Sequence, residues 1–103
     1  MTTPPYVPPS MPVGTAAISW IDTNNIAQLH VYSTDGNKIT ERYWAGSGWA
    51  STNFLAKGGQ VSATVYVLNG QPYIRVYCNY EDKTTEWCSD AGGAWYTGSY
   101  TPA

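Results

Sequence analysis

Two pairs of residues in this chain set a nitrogen base near a carboxylate at one spacing. They are His30 with Glu41 and Arg75 with Glu86, eleven positions apart in each case (41 − 30 and 86 − 75). Such a pair can decorate a strand as an ion pair, hold the hydroxyl groups of a ligand, or supply acid–base chemistry. Glycoside hydrolysis generally needs two carboxylates facing across one bond. Glu41 and Glu86 belong instead to separate pairs, each with its own nitrogen partner. The sequence shows no Ser-His-Asp set, no metal-ligand cluster and no phosphate-binding loop. His30 is the only histidine, and by itself it reads as a structural or surface residue before a catalytic base. Taken alone, Arg75 and Glu86 read as a cross-strand ion pair on an exposed strand face.

The pairs lie in two copies of one pattern. LHVYSTDGNKITERYWAGSGW, from Leu29 to Trp49, returns altered as IRVYCNYEDKTTEWCSDAGGAW, from Ile74 to Trp95. His30 aligns with Arg75, Tyr32 with Tyr77 and Glu41 with Glu86, all at one offset (75 − 30, 77 − 32 and 86 − 41 are each 45). Trp49 aligns with Trp95 at 46, so the second copy carries one extra residue. A repeat of this length that reads as strands indicates a propeller blade or a similar array unit.

Composition narrows the partners. With 103 residues the chain has room for one small domain. Charged residues make up only 12% and aromatics 15%, chiefly 9 Tyr and 5 Trp, more than a core of this size asks for. A net charge of −2 argues against nucleic acid, whose phosphates need Lys and Arg. No apolar run approaches the length of a membrane span. The start, MTTPPYVPPSMPV, lacks the basic and apolar segments of a signal peptide, so the expected location is cytoplasmic or reached by non-classical secretion. No cofactor or metal is expected.

The elements that must position the pairs are strands. Residues 1–13 hold five prolines and read as a flexible or polyproline arm. The rest divides into one unit over 14–57 and a second over 58–103, each of four strands. The expected strands are Thr15–Ile21, Ala27–Ser33, Lys38–Trp44, Trp49–Phe54, Val61–Leu68, Tyr73–Cys78, Lys83–Cys88 and Trp95–Tyr100. Asp35-Gly36 reads as a two-residue hairpin loop, which sets His30 directly opposite Glu41. A loop on Tyr80-Glu81 does the same for Arg75 and Glu86, and sets Cys88 opposite Tyr73. Cys78 and Cys88 are then five rungs apart, roughly 16 Å at strand rise, and are expected as free thiols. Trp20 and Trp87 are expected in packing, as are Tyr96 and Tyr100.

Arg and Glu across a hairpin, the run WAGSGW at 44–49 and the tail WYTGSY at 95–100 resemble the Aleuria-type fucose-specific lectins. SWI at 19–21, HVYSTDGNKITERYW and RVYCNYEDKTTEWC fall at matching places, and the likeness covers about residues 15–100. The closest resemblance is to short members with two blades per chain. It implies an all-β six-bladed propeller completed by a homotrimer, with no enzymatic activity. It also implies fucose held in clefts between blades, so that the trimer acts as a multivalent agglutinin of fucosylated glycans.

Carried over residue by residue, the resemblance implies two kinds of cleft. One takes Arg75, Glu86, Gly98 and Ser99 from the second unit and Trp44 and Trp49 from the first, with every family position suitably filled. The other takes His30, Glu41, Thr52 and Asn53 from the first unit and Ser89 and Trp95 from the second. There His stands for Arg, Ser stands for one Trp, and the Gly-small pair is lost. The first is expected to bind, at chain boundaries, and the second to be degenerate. A protein-binding propeller fragment is the alternative reading, and a glycoside hydrolase a more distant one.

Overall fold

Short runs of alternating apolar and polar residues, closed by Gly, Asn and Asp, favour strands over helices. A computed structural model describes residues 12–44 and 46–103, so most of the Pro-rich arm and Ala45 lie outside it. The strands are β1 (Gly14–Ile21), β2 (Ala27–Thr34), β3 (Lys38–Trp44), β4 (Trp49–Lys57), β5 (Gln60–Leu68), β6 (Gln71–Tyr80), β7 (Lys83–Asp90) and β8 (Tyr96–Thr97). They form two four-stranded antiparallel sheets in chain order, β1-β2-β3-β4 and β5-β6-β7-β8. The chain is all-β, with no helix among the described residues.

Gly58 and Gly59 alone join the sheets. Gly58 is buried, and a Cβ there would lie 2.5 Å from Ile39 Cδ1. Its carbonyl accepts the Thr34 hydroxyl at 2.5 Å, which ties the link to the end of β2.

Both central hairpins depart from the expected register by two residues. His30 stands opposite Tyr43 and Glu41 opposite Tyr32. Arg75 stands opposite Cys88 and Glu86 opposite Tyr77. In each hairpin the loop centre has moved one residue along the chain. Asp35 Oδ1 accepts the backbone N–H groups of Asn37 and Lys38, at 2.9 and 3.0 Å, and its own N–H donates to the Lys38 carbonyl at 3.3 Å, so the two-residue loop is Gly36-Asn37. Gly36, at φ +102°, takes the left-handed position. In the second hairpin Glu81 and Asp82 both have positive φ, 49° and 63°, and Tyr80 pairs with Lys83. A bulky Tyr is disfavoured in that conformation and Asp tolerates it. A shift of two preserves the face each side chain occupies. Each base therefore keeps its glutamate as a diagonal neighbour.

The inner faces of the sheets pack on each other, and β1 lies along β5. Ile18, Tyr32, Ile39, Phe54 and Ala56 from the first sheet meet Ile74, Val76 and Cys78 from the second. The Phe54 ring lies 4.6 Å from Trp95 and 6.2 Å from Trp87, and Trp95 meets the edge of Tyr32 at 6.3 Å. Each such apolar side chain contributes about 1.5–3 kcal/mol when fully buried. Trp20 and Trp87 pack against this core as expected. Tyr96 and Tyr100 do not, and both stay exposed. Cys78 and Cys88 are free and buried. They occupy opposite faces of β6 and β7, since Cys88 pairs with Arg75 and Cys78 with Thr85. Burial pushes the Cys78 thiol up to about 11.

Candidate functional site

Residues directly opposed in an antiparallel pair share a face. The pairs Tyr73–Asp90, Arg75–Cys88 and Tyr77–Glu86 therefore put Arg75, Glu86 and Asp90 together on the outer face of the second sheet. Arg75 does not bond to Glu86. Its Nη1 donates to Asp90 Oδ1 at 2.7 Å and to the Ile74 carbonyl at 2.9 Å. Its Nη2 donates to Tyr66 Oη at 3.1 Å, and the guanidinium lies 5.5 Å from the centre of that ring. Glu86 is held separately, accepting the Tyr77 hydroxyl at 2.7 Å and the Tyr100 backbone N–H at 3.2 Å. Tyr96 donates to Asp90 at 2.5 Å.

Arg75, Glu86, Cys88, Tyr96, Thr97, Gly98 and Ser99 line one open cavity of about 550 Å³. Gly98 is needed there. A Cβ at this position would collide with Glu86 Oε1 and lie 2.8 Å from Cys88 Sγ, so the tail can approach the carboxylate only without a side chain. The Gly98 backbone N–H also donates to the Glu86 carbonyl at 2.8 Å.

The electrostatics keep all three charges in place. The Tyr77 hydroxyl holds the Glu86 carboxyl below its usual value, and in turn Tyr77 is pushed up to about 12. Tyr96 and then Arg75 hold the Asp90 carboxyl low, and Tyr96 rises to about 12. Partial burial works to lower the Arg75 pKa, and the Asp90 hydrogen bond together with the charges of Cys88, Asp90 and Tyr66 outweighs it and raises it.

The other candidate set lies between the sheets and is closed on itself. His30 Nδ1 meets Glu41 Oε2 at 2.8 Å, and the Thr52 hydroxyl donates to Glu41 Oε1 at 2.7 Å. The imidazole is flanked by Trp20 at 5.0 Å and Tyr43 at 5.7 Å. Glu41 is only 3% exposed. Burial works to raise its carboxyl pKa, and the His30 and Thr52 hydrogen bonds help bring it below the usual value. The Tyr32 hydroxyl is enclosed and makes no hydrogen bond of ordinary geometry. Ser89 is buried, its hydroxyl donating to the Gly93 carbonyl at 2.8 Å, and Trp95 is packed on Phe54. The β3–β4 pairing is irregular between Thr40 and Arg42. There Thr52 reaches Glu41 and Phe54 enters the core, while Asn53 between them is exposed.

Trp44 and Trp49 pair with each other on the outer face of the first sheet, their rings 5.7 Å apart. Trp49 is 46% exposed and lines an open cavity of about 390 Å³ with Val31, Ser33, Thr40 and Arg42. Within one chain the tryptophans do not meet Arg75 and Glu86, because the inner faces of both sheets lie between the two outer ones.

Sequence reasoning missed Asp90, Tyr66, Tyr77 and Tyr96. The signal for Asp90 was present, since it alternates with Glu86 and Cys88 on one face of β7. The expected register hid it by giving Arg75 to Glu86 as a direct partner. No family model matches the chain, and no curated protein matches it in sequence.

Proposed function

We propose that the chain is a multivalent, non-catalytic lectin for L-fucose-bearing glycans. In this reading its two sheets are neighbouring blades, and three copies close a six-bladed β-propeller. The observation that carries it is the divided site. The polar half, Arg75, Glu86, Gly98 and Ser99, opens from one outer face. The aromatic half, Trp44 and Trp49, stands on the opposite one. A head-to-tail contact between copies lays one face against the other, and such contacts close into rings when the rotation permits.

The chemistry fits a sugar. A guanidinium has five N–H donors, and three are engaged within the chain. The two left, with the free lone pairs of Glu86, suit adjacent hydroxyl groups. A tryptophan face suits the apolar side of the ring and its methyl group. Exposed Trp49 and Leu55 on one outer face, and Tyr66, Tyr96 and Tyr100 on the other, supply apolar area for the contact. Hydrolysis is disfavoured. Glu86 and Asp90 lie on either side of Arg75, which is bonded to Asp90, so they do not face each other as a free pair across one bond. Both carboxyls are held low, so neither is a poised acid.

Light scattering is expected to give three times the chain mass, and fucose-agarose to retain the protein. Trp49→Ala is expected to stop agglutination of fucosylated cells while the trimer persists. A monomer that passes fucose-agarose without delay would sink the reading.

A further inference from the structure

Arg75 has two carboxylates as diagonal neighbours across the β6–β7 pair, Glu86 on one side and Asp90 on the other. It bonds to Asp90 alone. His30, the matching base of the first repeat, bonds to its glutamate. The position matching Asp90 at the same offset (90 − 45) is Ala45 in the sequence. The two bases thus differ in what competes for them. With no carboxylate at that position, His30 closes onto Glu41, which is only 3% exposed. With Asp90 present, Arg75 is drawn the other way, and Glu86 keeps acceptor capacity toward the cavity.

Beside the Ile74 carbonyl, three contacts hold Arg75. Asp90 takes one N–H of Nη1, Tyr66 takes one of Nη2, and the Tyr66 ring underlies the guanidinium. Asp90 is itself fixed by the Tyr96 hydroxyl, and Tyr66 by a parallel stack on Tyr73 at 5.3 Å and 8°. This network leaves the guanidinium pre-formed for a ligand, which removes an ordering cost from binding.

We propose that Asp90, backed by Tyr66 and Tyr96, is a positioning residue for sugar recognition: it holds Arg75 apart from Glu86 so that both keep groups free for the same ligand. The proposal rests on the lectin reading. Without Asp90, Arg75 folds onto Glu86, and the second repeat comes to resemble the first.

The test uses the full chain and its Asp90→Ala variant, with methyl α-L-fucoside as ligand and calorimetry as readout. Affinity is expected to fall about tenfold through lost pre-organisation, with an unchanged melting temperature, and Asp90→Glu is expected to recover part of it. The guanidinium resonances of Arg75, read by nitrogen-15 NMR without sugar, supply an independent measure. They are expected to ignore Glu86→Gln in the wild-type background and to respond to it in the Asp90→Ala background. Equal affinity in wild type and Asp90→Ala overturns the positioning role while the lectin reading stands. A wild-type chain that binds no fucoside overturns both, and the NMR arm then shows whether Asp90 holds Arg75 for structural reasons alone.

Discussion

The two repeats place related residues in opposite circumstances. In the first, His30 and Glu41 face inward, each other's partners, walled by Trp20, Tyr43 and the packed sheets. In the second, Arg75 and Glu86 face outward on the rim of an open cavity, held by different neighbours. Each oxygen of both carboxylates accepts one hydrogen bond inside the chain, so the difference lies in access. Glu41 is sealed at 3% exposed, whereas Glu86 is half-buried and lines the open cavity, where its remaining lone pairs can be reached. A spacing repeated inside one chain therefore does not carry repeated surroundings. Within one chain the surroundings follow from which face of each sheet the other sheet covers.

The largest effect is expected from Phe54→Ala, which empties the contact with Trp87 and Trp95 at the centre of the inner faces. A loss of about 3–5 kcal/mol is expected for a buried Phe, read from the urea unfolding midpoint. A small loss would mean that the inner faces are not the structural core this contrast requires. Glu41→Ala comes next. Removing one partner from a buried network costs about 1–3 kcal/mol, and fucose retention is expected to survive in whatever remains folded. Glu86→Ala is expected to show the reverse, with an unfolding midpoint near wild type and no retention. Equal stability losses in the two variants would erase the distinction.

Gly98→Ala probes the outer site more gently. The new methyl group collides with Glu86, so fucoside affinity is expected to fall by about tenfold, the cost of misplacing one binding group (about 1.4 kcal/mol), with little change in fold. The smallest effect is the acid limb of stability. The folded Glu41 carboxyl is held below its ordinary value, so its contribution is present above the unfolded value and lost as pH falls through the folded one. Glu41→Gln is expected to flatten the fall in stability below the usual carboxylate range. An unchanged acid limb would show that the His30–Glu41 pair contributes nothing net.

Much was legible without the structure. Eight strands, the break at Gly58-Gly59 and the shared face of each base with its glutamate all follow from alternation with period two and from Gly, Asn and Asp at the breaks. That signal is local, so it is carried by short windows of sequence. It even survived a wrong choice of loop, because moving the loop by one residue shifts the pairing by two and leaves every side chain on its face. The expectation that Cys78 and Cys88 are free survived for the same reason, since opposite faces keep them apart.

Partner choice was not legible. Whether Arg75 goes to Glu86 or Asp90 depends on two diagonal neighbours competing, and that depends on a register set by backbone angles at Glu81 and Asp82. Nor does alternation say which of two faces is covered. Phe54, Trp87 and Trp95 decide that only when the second sheet folds back along the first, closing over His30 and Glu41 and leaving Arg75 and Glu86 outside. The sequence by itself determined the strands and the face of each residue, because those are properties of neighbours in the chain. The tertiary structure decided which charges pair and which stay open, because those are properties of neighbours in space.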